Sequence, residues 1–179
     1  MNYCTLNGKK STSVKGLIIQ ELPPISKPLI RTQIEEIDGR DGDIITKLGY
    51  SAYDKEMEIG LRGDFDINDA IAFFDSEGTV VFSNEPDKYY RYQIIDQIDF
   101  ERLLRYRTAD VTFHVQPFKF SAVEQAYEKT FEASDAKTMT VMNYGNIYSK
   151  PSITITGTGT VNLSLNGAQV FVIELRDIG

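Results

Sequence analysis

The chain has 179 residues, with 19 lysine plus arginine against 26 aspartate plus glutamate and a formal net charge of -7. That balance provides no general phosphate-binding surface and excludes tight nucleic-acid binding as the main function. One cysteine excludes an intrachain disulfide, no Cys/His spacing suggests zinc, and no apolar run approaches the roughly 18 residues of a membrane span.

These features, with a polar start (MNYCTLNGKKSTS, 1–13) unlike a signal peptide, lead to the expectation of a soluble protein assembled in a reducing cytoplasm without a cofactor. Alternation of period two then runs through VKGLIIQEL (14–22), PLIRTQIEEI (28–37), YDKEMEIGL (53–61), TVVFS (79–83), YYRYQIIDQIDF (89–100) and YRTADVTFHVQPFKF (106–120). Rich in β-branched and aromatic residues and separated by turn formers, these segments predict strands. One segment, DINDAIAFFDSEG (66–78), predicts a short helix: Asp66 or Asn68 caps it, Ile67, Ile71 and Phe74 share a face, and Gly78 ends it. Pro86 marks a loop.

After FEASDAKT the composition shifts to small residues and glycine, which predicts a boundary near 133–138. The organisation expected is an antiparallel β-sandwich with one short helix over 1–133 and a second β unit over 134–179. Strands are expected at SITIT, TVNLSL and AQVFVIEL, the last two joined by a hairpin turn at Asn166-Gly167. So few strands make the second unit an incomplete or truncated sandwich.

Few residues carry chemistry. Asp64, Asp66 and Asn68 match the first ligands of a calcium loop, but Asp69 occupies the glycine position and Asp75 replaces the terminal glutamate, so helix capping is the better reading. Arg62-Gly63-Asp64 spells an adhesion tripeptide, a match too short to carry weight. His114, the single histidine, alternates with Phe113 and Val115 on a strand and reads as structural. Tyr89, Tyr90 and Tyr92 could form a sugar-stacking platform, although alternation divides them between core and surface. No specific carboxylate pair for glycosidase chemistry emerges.

The stretch EEIDGRDGDII (35–45) remains. Asp38, Gly39, Arg40, Asp41, Gly42 and Asp43 suit a chain reversal at positive φ, with Arg40 near three carboxylates. A cation site would need those carboxylates to converge. As a strand connector, the stretch is instead a candidate protein interface.

DGRDG (38–42) after an N-terminal strand pair, HVQPFKF (114–120) and NYGNIYSKPSITITGTG (143–159) follow the order found in distal tail (Dit) proteins of long-tailed siphophages and prophages. The chain resembles that family over nearly its whole length, most specifically at Asn143, Gly145, Asn146, Pro151, Ile153, Ile155, Gly157 and Gly159. The resemblance implies a β-sandwich with a helix that assembles into a homohexameric ring, a galectin-like second domain, and no catalytic residue, metal or cofactor. The implied partners are further copies, the tail tube protein and the tail-associated tip protein, with a receptor-binding protein as an optional one. The implied location is the virion tail tip, and genome DNA passes through the ring without specific binding. The family's second domain continues beyond the equivalent of VFVIELRDIG (170–179). The alternative is a carbohydrate-binding β-sandwich module of a phage tail or cell-surface protein.

Overall fold

The computed structural model describes residues 1–39, 41–74, 76–123, 126–131, 139–148, 150–157, 159–165 and 168–175. It divides the chain into two compact units, Met1–Ala126 and Tyr127–Gly179. The boundary expected at 133–138 lies outside the described residues.

The first unit contains β1 (Cys4–Leu6), β2 (Lys9–Lys10), β3 (Leu17–Glu21), β4 (Ile30–Glu36), β5 (Asp43–Tyr50), β6 (Tyr53–Leu61), α1 (Ile67–Phe73), β7 (Glu77–Phe82), β8 (Lys88–Gln93), α2 (Phe100–Tyr106), β9 (Thr108–Val115) and β10 (Phe120–Ser121). Eight of these strands form one curled antiparallel sheet in the order β2-β1-β7-β8-β9-β6-β3, with β10 added on β8. The curl brings the chain ahead of β1 to β3, near the opposite end of the strand order, where Asn2 Nδ2 donates to the Gln20 carbonyl at 3.0 Å. The mainly β, sandwich-like architecture follows from the period-two pattern, because alternate residues of each strand point to one side.

The inward side supplies the core. Met57, Ile59 and Leu61 of β6, Val80 and Phe82 of β7, Tyr90 and Tyr92 of β8, and Val111, Phe113 and Val115 of β9 are all buried. Phe113 meets Phe82 and Tyr92 edge-on, with ring centroids 5.6 and 5.2 Å apart. Each such side chain contributes about 1.5–3 kcal/mol through burial.

Two helices flank the sheet rather than one. Asp66 caps α1 by accepting from the Asn68 amide at 2.8 Å. Its buried residues are Ala70 and Phe73, followed by Phe74 at the cap and with Ile67 packed against the core; Ile71 is exposed, contrary to the expected face. Gly78 does not end α1 but lies inside β7. The run 89–100, expected to be a continuous strand, stops at Gln93, and Asp99 caps α2 by accepting from Arg102 N at 2.8 Å. Asp96 and Asp99 interrupt the alternation, and buried Leu103, with Phe100 packed against the core, anchors the helix.

In the second unit, β11 (Gly159–Leu165) and β12 (Ala168–Leu175) pair antiparallel, with Val161 opposite Ile173 and an irregularity between Leu163 and Ser164. The expected Asn166-Gly167 turn lies outside the described residues. The run 152–156 is not a strand: Pro151 removes a ladder donor just before it, and Gly157 follows at φ +142°.

Candidate functional site

β4 and β5 form a two-stranded sheet of their own that is paired to no strand of the main sheet. Their register runs from Ile30 opposite Tyr50, at the root, to Glu36 opposite Asp43, at the tip. Cross-strand partners share a face, so one face presents the Ile34–Ile45 rung, with Thr32–Lys47 toward the root and Glu36–Asp43 toward the tip. Ile34 and Ile45 are 58% and 64% exposed, values opposite to those of an alternating strand that packs on a core. The other face carries Glu35 opposite Ile44 and Gln33 opposite Thr46, with Gln33 Nε2 donating to Glu35 Oε1 at 2.6 Å.

The tip contains the stretch singled out in the sequence. Asp38, Gly39, Asp41 and Gly42 form the connector, Asp43 begins β5, and both glycines adopt φ +81°, the conformation that the Asp-Gly pairs suggest. Arg40 lies outside the described residues. Among the described residues, no group of three or more His, Cys, Asp or Glu side chains is arranged to hold a metal.

The root is held firmly. Ser51 N donates to the Leu29 carbonyl at 2.9 Å, and the Tyr50 ring meets Phe118 edge-on at 5.4 Å. Lys47 Nζ donates to the Tyr50 hydroxyl at 2.9 Å and lies 4.3 Å from the ring centroid; this hydrogen bond lowers the Tyr50 pKa. The segment leading into β4 is fixed by Asn84 Nδ2, which donates to the Pro23 carbonyl at 2.9 Å, and by Lys55 Nζ, which donates to the Pro24 carbonyl at 2.7 Å.

Lys55 belongs to a polar cluster that no sequence motif marks. It is only 2% exposed, 5.0 Å from the Tyr90 ring centroid, and burial lowers its pKa against the opposing attraction of Glu85. Glu85 accepts from the Tyr90 hydroxyl at 2.5 Å and from Lys119 Nζ. Burial works against its charge, but these hydrogen bonds prevail and hold its pKa below the usual glutamate value. Burial and the bond to Glu85 push the Tyr90 phenol up. The alternation Lys55, Met57, Ile59 was the available signal, since it places the lysine on the inward side of β6.

The remaining candidates are dispersed. Asp66 caps α1, as the preferred reading of this stretch expects, while Asp64 pairs with Lys15, so the two carboxylates of the calcium-loop match are engaged separately. In the adhesion tripeptide, Arg62 N donates to the Gly16 carbonyl at 2.8 Å and Gly63 turns at φ +65°. His114 Nδ1 lies 2.7 Å from Asp54 Oδ1, its cross-strand neighbour on the outer face of the sheet. Tyr90 and Tyr92 are buried, so they form no sugar platform. Tyr89 points the other way and stacks on Phe120, with centroids 5.2 Å apart and planes 18° apart. An open groove of about 510 Å³ is lined by Glu77, Thr79, Arg91, Gln93 and Gln116, among others, and by neither Tyr89 nor Phe120.

No family model matches the sequence, and no curated protein matches it. Among solved structures, the chain is similar to the crystal structure of SPP1 Dit, described as a paradigm of the hub adsorption apparatus in phages infecting Gram-positive bacteria. The TM-score is 0.50 at 20% identity, over 68% of this chain. The chain matches about half of that protein, covering 52% of its length. A curled antiparallel sheet with two short helices therefore gives this chain a Dit-like fold.

Proposed function

We propose that the protein is a phage-tail hub component whose copies associate side by side into a hexameric ring. One face of the ring receives the tail tube protein and the other receives the tail-associated tip protein. The Dit-like fold carries this reading. The free β4–β5 hairpin supports it, because an exposed two-stranded ribbon on a well-packed sheet is suited to contact between subunits. Segment 134–179 supplies strands of a galectin-like second domain. The reading assigns no catalytic residue, and the net charge of -7 suits a ring that passes DNA without holding it.

Within the hairpin, 38–43 is the interface loop, and Arg40 is its anchor because a guanidinium grips a carboxylate in a bidentate manner. The mass of the purified chain by light scattering tests the assembly: six times the 20.2 kDa chain mass is expected, and a monomer at all concentrations would exclude the hub. Arg40→Ala is expected to weaken ring formation or tube docking while leaving the melting temperature of the monomer nearly unchanged. Normal assembly of this variant at low micromolar concentration would reduce the loop to a turn.

The stacked Tyr89–Phe120 pair on the outer face favours a second reading, a saccharide-binding module. Glycan binding that is abolished by Tyr89→Ala would support it; an unbound glycan array would remove it.

A further inference from the structure

The β4–β5 ribbon poses a physical problem. Two strands alone are marginal in water, yet this pair exposes an isoleucine rung on one face and, among the described residues, has no third strand at either edge. Something must cover the rung, and the charges around it specify what fits. Along β5 the outward order is Asp43, Ile45, Lys47, with an acid and a base each two residues from the central isoleucine. Along β4 it is Glu36, Ile34, Thr32. The face is therefore acidic toward the tip, apolar in the centre and basic toward the root. Bonding to Tyr50, which shares this face, keeps the Lys47 ammonium there.

We infer that this face takes the same face of a second copy, stacked antiparallel about a two-fold axis through the Ile34–Ile45 rung. This rests on the reading of the hairpin as an assembly arm and names its occupant. A two-fold axis across the ribbon sets Ile45 against Ile45 and Ile34 against Ile34 of the second copy. It also brings each Asp43 to Lys47 of the other copy, twice by symmetry, and each Glu36 to Thr32. Parallel stacking, about a two-fold along the ribbon, would lay β5 on β4 of the other copy and so oppose Asp43 to Glu36, acid on acid, and Lys47 to Thr32, with no pair of opposite charge. The opposite face also carries an acid and a base, Glu35 and Arg31, but its centre is the polar Gln33–Thr46 rung and Glu35 is already bonded to Gln33, so it offers no apolar centre for a second copy. Because the contact is isologous, it joins copies in pairs and is distinct from the side-by-side contact that closes a ring.

Sedimentation velocity and native mass spectrometry on the full chain test this. Lys47→Glu and Asp43→Lys should each weaken the paired association by about tenfold or more, and the double variant, which exchanges the charges, should restore it to within about threefold of wild type. Ile45→Cys should give a disulfide-linked dimer on mild oxidation, because the native Cys4 is buried. Should the wild type form rings while both charge variants associate unchanged and Ile45→Cys fails to cross-link, the pairing is overturned and the ring reading stands. Wild type that stops at charge-sensitive dimers supports the pairing and overturns the ring. A wild type that remains monomeric at high concentration overturns both.

Discussion

Lys55 lies inside the sheet because it shares the inward side of β6 with Met57, Ile59 and Leu61. A buried ammonium is costly unless it is bonded, and here the Pro24 carbonyl, the surrounding rings and nearby Glu85 receive it. Glu85 makes stability depend on pH. Its folded pKa lies below the ordinary value of 4.5, so its contribution is complete above that value and is lost as pH falls through the lower folded pKa. The melting temperature is therefore expected to fall as the protein is acidified below about pH 4.5, and Glu85→Gln should flatten that fall. At neutral pH, Glu85→Gln should cost about 1–3 kcal/mol in denaturant unfolding. Equal acid sensitivity in both proteins would assign the loss to other carboxylates. Asp66 acts more locally. Asp66→Ala removes the α1 cap and should cost about 0.5–2 kcal/mol, with no effect of calcium on either protein's Tm. A calcium-dependent rise in Tm that disappears in an otherwise folded Asp66→Ala variant would restore the cation reading.

At the scale of elements, the β1–β2 turn inserts Asn7 into β7. The Asn7 side chain donates to the Glu77 carbonyl at 3.1 Å and accepts from Thr79 N at 2.8 Å, so it spans Gly78 and replaces a strand partner there. A Cβ on Gly78 would sit 1.9 Å from Asn7 Oδ1, and the residue adopts φ +143°. Gly78→Ala should therefore destabilise by about 1–3 kcal/mol and shift the Asn7 amide resonances, whereas Gly8→Ala, at φ +82° with open space, should cost less. Equal effects would show that backbone strain, and not the Asn7 bridge, fixes Gly78. This interlock explains why a glycine that looks like a helix stop in the sequence belongs to a strand: its constraint comes from a residue 71 positions away. Asn7-Gly8 turns the chain at positive φ between β1 and β2, a hairpin the reading of 1–13 as a polar start passed over.

For the whole molecule, the two units differ in how much structure supports each strand. β9 lies between β8 and β6 in the main sheet, whereas among the described residues β11 and β12 pair with each other and with no further strand. Amide exchange across 159–175 is therefore expected to be faster than across 108–115. Equal protection would mean that the second unit has the support of a complete core.

The sequence by itself determined the mainly antiparallel β class, the cap on α1, the positive-φ turns at Gly39 and Gly42, and the burial of alternate residues in β6 and β9, but not α2, whose residues it assigned to a strand. Each of these depends on the period of side-chain direction or on one residue's backbone preference, and both are written locally. Tertiary structure decided which alternating runs face a core. The run 30–36 alternates as β6 does, yet Ile34 is solvated because no layer of the described residues covers it. Tertiary structure also decided that Lys55, Glu85, Tyr90 and Lys119 meet, that Asp64 and Asp66 do not, and that Asn7 reaches Gly78. Such encounters depend on strand order and register. These are set by the joint packing of residues distant in sequence, and no local period encodes that distance.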